Sequence, residues 1–437
     1  MIVKIKQTLL AIGDIIALYL SLIAALLLRY GYINDKYVDA HLGPFSILFV
    51  LWIALFYIVG LYEIRNLRNS LSFIRKFGIS IFAGTISSIT LFYIVPYFTI
   101  SPKTNLAIFI VIFTAVGGLW RVFFNQTIRI PQKRVVLIGE GKEMDELEEH
   151  IRENPQIGYR IVHRIHIPQK TDTAHELQTA HHPDTIIISE TLHAPDLIKE
   201  LAKELTHGVE IIDSTTAYQM VFKKLPLSQM QELWVASRLS RSKRAYEVVK
   251  QLYEPIGALL MVVILSPLLA LIYLLVLCTS RGPGIYKQVR VGKGGRLFWI
   301  YKFRTMRVDA EKNGAMFAQK NDARVTAVGK FLRFSHLDEL PQLFNIIQGE
   351  VSFVGPRPER PEFVTQLKAE IPYYELRHLV RPGITGWAQV NYRANVELID
   401  DTYHKLQYDM FYIQERSFVF DVLTILKTIK MFLFNYK

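Results

Sequence analysis

The sequence contains a single cysteine, Cys278, in 437 residues, so no intramolecular disulfide can form and nothing points to an oxidising compartment. Acidic residues are in deficit: 39 Asp and Glu face 51 Lys and Arg, giving a formal net charge of +12 and a pI of about 9.4. That balance alone suits nucleic acid, an anionic membrane surface or phosphorylated substrates. No cleavage signature of small residues follows the first apolar run, which therefore reads as a retained helix rather than a signal peptide. What is abundant is apolar: 51% of the residues are hydrophobic and the mean hydropathy is +0.21. The excess sits in a few long runs flanked by basic residues, which selects a membrane over nucleic acid. The length exceeds what one hydrophobic core organises, so two or three folding units are expected.

Four runs, roughly Gln7 to Leu28, Pro44 to Tyr62, Phe77 to Val95 and Leu106 to Phe124, are long enough to cross a hydrocarbon core of about 30 Å. Lys4, Lys6, Arg65, Arg68, Arg75, Lys76, Arg129, Lys133 and Arg134 fall on one side of them, against Arg29, Lys36 and Lys103 on the other. By the positive-inside bias, the N-terminus and everything after Arg129 are expected in the cytoplasm. Asp14 lies within the first span, near its cytoplasmic end and within reach of water, and reads as structural rather than functional.

From Lys133 to about Ser237 the pattern alternates between strand and helix: RVVLIG, an acidic helical stretch, RIVHRIH, DTIIIS, a helical run from Pro195 to Thr206, and VEIID. This predicts a small domain with a parallel sheet. Gly139-Glu-Gly141 starts a dinucleotide-binding turn, but Met144 replaces the third glycine, and His163 to His166 stand where a ribose-binding acid is needed. A degenerate Rossmann-like scaffold, serving packing or the contacts of a homodimer, is expected.

The fifth apolar run, Ile256 to Cys278, has basic flanks on both sides: Arg238, Arg241, Lys243, Arg244 and Lys250 before it, Arg281, Lys287, Arg290, Lys293 and Arg296 after it. Both ends thus prefer the cytoplasmic face. Ser266-Pro267 divides the run; proline removes a backbone donor, and the serine hydroxyl can satisfy the freed carbonyl. The expectation is a re-entrant helix that breaks at Pro267, and the alternative is a kinked span with the following domain outside.

After Gly282 the chain reads as a mixed α/β domain with basic residues in proline- and glycine-rich turns: Lys302 and Arg304, Arg333, Arg357, Arg381. Such fixed cations suit a diphosphate, whose cleavage concentrates charge on the leaving phosphate. Among them Asp338-Glu339 stand side by side at an expected helix start, about 100° apart around the axis and so suited to different partners. Ser335 to Asp338 also fits a capping box, and a helix N-terminus would keep Asp338 ionised. The last helix carries an apolar stripe of Val422, Leu423, Ile425, Leu426, Ile429, Phe432 and Leu433 opposite Asp421, Thr424, Lys427 and Thr428; it fits a membrane interface or packing on the core.

The runs KFRTM, ARVTAVGKFLR, LDELPQLFNIIQGEVSFVGPRPERPEF, VRPGITGWAQV and KLQYDMFYIQ, over about residues 243 to 437, resemble the bacterial sugar transferase family. With the preceding spans and Rossmann-like domain, the chain is similar to the family's long form, the polyprenyl glycosylphosphotransferases. The resemblance implies transfer of a sugar 1-phosphate from a uridine diphosphate (UDP) sugar to undecaprenyl phosphate at the inner membrane, releasing uridine monophosphate (UMP). It implies Asp338 as the nucleophile that carries a covalent phosphosugar, Glu339 as the Mg²⁺ ligand, and Lys302, Arg304, Arg333, Arg357 and Arg381 as phosphate ligands. Ser266-Pro267 matches the family's helix break. Ser335-His336-Leu337 departs from the family's usual T-S-L at His336, a change that bears on substrate preference.

The expected architecture is therefore membrane α plus α/β. It comprises a four-helix transmembrane bundle (1–128), a degenerate Rossmann-like domain (129–237), a basic lead-in with the re-entrant helix (238–280), and a mixed α/β catalytic domain ending in an amphipathic helix (281–437). Two other readings compete. A membrane-tethered, NAD-dependent nucleotide-sugar dehydratase or epimerase would use the Gly139 turn and the Tyr246-x-x-x-Lys250 pair, and a non-enzymatic polysaccharide-export scaffold would use its arginines only for lipid head groups.

Overall fold

A computed structural model describes residues 2–63, 69–94, 103–127, 132–166, 183–190, 208–227, 243–279, 282–307, 322, 324–392 and 399–434. The Pro195 to Thr206 run lies outside them. The chain forms two compact units, one built mainly from the residues up to Ala217, the other from Tyr218–Met431.

The first unit begins with four helices, α1 (Ile2–Tyr30), α2 (Asp35–Val59), α3 (Leu71–Ile94) and α4 (Lys103–Thr127), each long and apolar enough to cross a membrane. Asn34 caps α2 by accepting from the Lys36 N–H, and Gly60, at φ 84°, ends it in the left-handed conformation that glycine adopts without strain. The helices share one core, in which Phe45, Phe49, Trp52, Phe56, Phe109 and Phe113 stack edge-to-face or in parallel. Their outward faces are also apolar: Val50, Val111 and Leu119 are each at least 70% exposed, as lipid-facing residues are.

Polar clusters bracket this aromatic layer. At one end Asp14 is fully buried, contrary to contact with water: Arg121 donates to it at 3.1 and 2.5 Å and the Tyr62 hydroxyl at 2.8 Å. At the other, His41 meets Asn105 at 2.6 Å. Paired and hydrogen-bonded, Asp14 fits the structural role, because its charge is neutralised where it is made.

In the same unit β1 (Lys133–Ile138), β2 (Tyr159–Ile165), β3 (Thr185–Ile188) and β4 (Glu210–Asp213) form a parallel sheet in the order β2-β1-β3-β4. These are the four expected strands, with α5 (Lys142–Glu153) following β1. Gly139 has φ 107°, a conformation that favours glycine, and a Cβ there would stand 2.6 Å from the Ser189 Cβ, so backbone and packing both call for this glycine. Met144 is fully buried, where a third glycine would have let the helix come close.

The second unit is organised by α7 (Arg244–Thr279), which follows the short α6 (Ser214–Phe222). At 36 residues α7 is about 54 Å of helix, and the expected interruption at Pro267 is absent. The reason is local: the Ser266 hydroxyl donates at 2.8 Å to the Val263 carbonyl, the acceptor that Pro267 has no N–H to serve, so the helix runs on. Both arms lie against the domain that follows. Ala258, Val262 and Leu265 pack on Phe298, Leu343 and Ile346, while Leu268, Leu269, Ile272 and Val276 pack on Phe303 and Leu332. The other faces of α7 are exposed and apolar, with Ile264 at 74%.

That domain contains the antiparallel hairpin β5 (Ile285–Val291) and β6 (Leu297–Phe303), then α8 (Ala327–Ser335), α9 (Gln342–Ile347), β7 (Ser352–Val354), α10 (Pro361–Glu370), β8 (Gly383–Thr385), α11 (Trp387–Asn391), α12 (Ile399–Glu415) and α13 (Phe418–Phe434). Strands β7 and β8 pair in parallel. A buried polar cluster joins the first turns of α7 to β7 and α13: Lys250 donates to Asp421 at 2.7 Å, the Tyr412 hydroxyl at 2.9 Å and the Val354 carbonyl at 2.9 Å. Consequently α13 is turned polar side in. Asp421 and Thr424 are buried, while Val419 is 65% and Val422 38% exposed. The helix does pack on the core, chiefly through the polar face that its stripe left over.

Candidate active site

Three pieces of backbone meet around Asp338 and Glu339. The first is the end of β6, which carries Lys302 and leads to Arg304 and Thr305. The second is α8, capped at its start by the Thr326 hydroxyl on the Gly329 N–H at 2.9 Å. The third is the turn Gly355-Pro356-Arg357 after β7. Asn345, fully buried in α9, clamps the first to the dyad: its amide donates to the Trp299 carbonyl at 2.7 Å and its oxygen accepts from the Tyr301 N–H at 3.1 Å. Sequence reasoning passed over Asn345, since a lone asparagine inside an apolar motif carries no chemical signature.

The dyad does not open a helix. Residue His336 ends α8 in the left-handed conformation, φ 55°, and Leu337–Glu339 then form a single 3-10 turn before Pro341 and α9. Ser335 is therefore no capping residue. It is the last residue of α8, and its hydroxyl donates back to the Phe331 carbonyl at 2.8 Å. Proline at 341 has no N–H to continue the turn, so α9 can start only after the two carboxylates have passed.

The carboxylates have opposite surroundings. Glu339 Oε1 accepts from Lys302 Nζ at 2.7 Å and from Arg357 Nη2 at 3.1 Å. Burial would raise the Glu339 carboxyl, but these two cations overcome it and hold it at about 2. Asp338 is 8% exposed, and burial raises its pKa despite Lys302, with the Glu339 charge adding to the rise and His336 and Arg333 opposing it. The expected ionisation by a helix N-terminus is thus overturned: Asp338 is a desolvated carboxylate whose electrostatic help comes from side chains.

Lys302 and Arg357 meet the dyad directly, and Arg333 stands five residues before Asp338, held by its Nε donating to the Thr305 hydroxyl at 2.9 Å. Arg304 is buried just after β6, its backbone N–H bonded to the Gly284 carbonyl at 2.9 Å. Arg381 is 7% exposed, with Nη2 3.0 Å from Glu254 Oε2 of α7. Glu254 also accepts from the Ser352 hydroxyl at 2.6 Å and the Phe353 N–H at 3.1 Å, so Arg381 and Glu254 brace the strand from which Arg357 hangs. The glycines of the two arginine turns have their own reason. A Cβ on Gly383 would stand 2.1 Å from the Gly355 nitrogen, so the turns cross backbone to backbone. Arg377, absent from the sequence reading, donates to the Arg357 carbonyl at 3.0 Å and pairs with Asp409 at 3.0 Å.

Among the described residues no group of three or more His, Cys, Asp or Glu could enclose a metal. A magnesium ion, however, is commonly held by one or two carboxylates and completed by substrate phosphates and water. Asp338 and Glu339 fit that mode, since both cations on Glu339 occupy Oε1 and leave Oε2 to other partners. The dehydratase reading loses its catalytic pair: Tyr246 and Lys250 both end on Asp421, at 2.5 and 2.7 Å, inside the buried cluster.

The family described as bacterial sugar transferase matches residues 245–435. A UDP-glucose:undecaprenyl-phosphate glucose-1-phosphate transferase of Xanthomonas campestris pv. campestris is 32% identical over 342 residues, 72% of this chain and 70% of that protein. A UDP-N-acetylgalactosamine-undecaprenyl-phosphate N-acetylgalactosaminephosphotransferase of Aeromonas hydrophila is 46% identical over 193 residues, 44% of this chain and 45% of that protein, so the match spans under half of that relative. An undecaprenyl-phosphate galactose phosphotransferase of Salmonella typhimurium is 32% identical over 263 residues, 54% of this chain and 51% of that protein. The match at both levels, over the catalytic domain and over most of the chain, means that this protein belongs to the bacterial sugar transferase family, among its polyprenyl glycosylphosphotransferases.

Proposed function

We propose that this chain moves a sugar 1-phosphate from a UDP-sugar to undecaprenyl phosphate, in two steps through Asp338. In the first, an Asp338 oxygen attacks the sugar-bearing phosphorus, the P–O bond to the nucleotide breaks, and UMP leaves with that oxygen. In the second, an oxygen of undecaprenyl phosphate attacks the same phosphorus and Asp338 departs as carboxylate, giving the polyprenyl diphosphate sugar. Lys302 and Arg357 meet the charge that builds on the leaving phosphate, and Arg333 extends the anion site toward Thr305. Mg²⁺ bound at Asp338-Glu339 would supply further neutralisation of the diphosphate. The observation that carries this reading is the split within the dyad: Glu339 is committed to two cations, while Asp338 is desolvated and, among the described residues, without a direct ion pair, which leaves its oxygens available for attack.

The sugar is left open by relatives that use glucose, galactose and N-acetylgalactosamine. Incubating the purified protein with a panel of UDP-sugars and undecaprenyl phosphate tests the reading. UMP release with at least one sugar is expected, and none with any would overturn it.

The same proposal places the domain after Cys278 on the cytoplasmic side of the inner membrane, with α7, unbroken at Pro267, entering the bilayer without crossing it. Support comes from both arms of α7 packing on that one domain, since a polar domain covering the whole length of a spanning helix would be immersed in lipid. The outward apolar face of α13, and Phe331 and Phe334 of α8 at 63% and 87% exposed, fit a domain resting on the membrane. In a Cys278→Ser background, a cysteine at Lys293 is expected to react with an impermeant maleimide in inverted vesicles and not in intact spheroplasts. The reverse pattern would make α7 a true span.

A further inference from the structure

The two cations on Glu339 bear on when a metal can bind. Lys302 Nζ and Arg357 Nη2 lie 2.7 and 3.1 Å from the same oxygen, and the Glu339 side chain is only 13% exposed. A hydrated divalent cation approaching this carboxylate meets two fixed positive charges within a few ångströms, in surroundings that screen them poorly. Its gain from a carboxylate already neutralised is small. A diphosphate changes the balance, because it offers Lys302 and Arg357 a more highly charged partner. Arg357 is the one free to turn toward it, its side chain being 47% exposed.

Resting on the function argued above, we propose that Glu339 is a masked metal ligand: the diphosphate of the nucleotide draws Lys302 and Arg357 away, and only then do Glu339, Asp338 and phosphate oxygens take a divalent cation. Metal and nucleotide binding are therefore strongly coupled, and by linkage each tightens the other to the same extent. Lys302 and Arg357 act twice, as a guard against metal in the empty site and as phosphate ligands in the filled one.

Mn²⁺, followed by loss of its aqueous electron paramagnetic resonance signal, reads this without turnover. With full-length protein in nanodiscs, Mn²⁺ alone is expected to bind at least tenfold more weakly than in the presence of UDP, with a bound spectrum distinct from that of Mn²⁺-UDP in solution. Glu339→Gln should remove the UDP-dependent site. Lys302→Met should tighten Mn²⁺ binding without UDP by about tenfold or more, and Arg357→Met, at a half-exposed position, should do the same if the lysine variant does not fold. Wild-type protein that binds Mn²⁺ equally well with and without UDP would overturn the proposal, as would folded Lys302→Met or Arg357→Met with unchanged affinity for Mn²⁺ alone. Either result with UMP release intact refutes the masking only; absence of UMP release with every sugar, together with no UDP binding, refutes the function on which it rests.

Discussion

Asp338→Asn is expected to abolish both the burst of UMP and the phosphosugar adduct, with turnover falling by a factor of about 10³ or more, the scale of losing a covalent nucleophile. Wild-type enzyme given nucleotide sugar alone should release up to one equivalent of UMP and gain the mass of a phosphosugar, detected by intact-protein mass spectrometry. An amide of the same shape cannot form that bond. The variant should also be at least as stable as wild type near neutral pH. Burial raises the Asp338 pKa, so the folded protein holds this proton more tightly than the unfolded chain does. Stability from this group is greatest below the unfolded pKa and is lost as pH rises through the folded one, a loss that asparagine does not suffer. For the same reason the acid limb of adduct formation should lie above the ordinary range of aspartate. Adduct formation by Asp338→Asn, or UMP release that strictly requires the lipid acceptor, would replace the two-step scheme with direct transfer.

The largest effect on stability is expected at Lys250. Lys250→Met leaves Asp421 buried with no cation, since the remaining contacts of that carboxylate are the Tyr246 and Tyr412 hydroxyls at 2.5 and 2.9 Å. Breaking a buried pair in this way costs about 3–5 kcal/mol. The double variant Lys250→Met, Asp421→Leu removes both charges and should recover much of that loss. Denaturant midpoints in detergent would measure both. A single variant no less stable than the double one would mean that the cluster does not hold α7 to α13.

Much of this was legible in sequence where the cause is local. Strands β1 to β4 follow from short apolar runs between turns, and the role of Ser266 follows from the missing N–H one residue later. Asp338-Glu339 could be found because two adjacent carboxylates among fixed arginines are rare without chemical reason. The rest depends on pairings that no local pattern records. Arg121 neutralises Asp14 from 107 positions away, and Arg381 lies beside Glu254 of a helix that starts far earlier in the chain. Tyr246-x-x-x-Lys250 imitates a catalytic spacing because one helical turn brings any such pair to the same face. In α13 periodicity told which residues share a face but not which face is inside, because lipid reverses the usual preference and the core supplies Lys250 to meet Asp421. Ser335 misled through its spacing alone, since S-x-x-D marks a helix start only where the chain is not already finishing a helix.

The aromatic layer of the first four helices sets a limit on what this protein can do with its product. Between Asp14-Arg121 and His41-Asn105 the described interior is filled by Phe45, Phe49, Trp52, Phe56, Phe109 and Phe113, all 3% exposed or less. Such a plug sets apolar side chains between the two polar clusters, so among the described residues the bundle is built as a packed anchor. A lipid-linked product on one leaflet meets no polar path to the other through the described residues of this bundle.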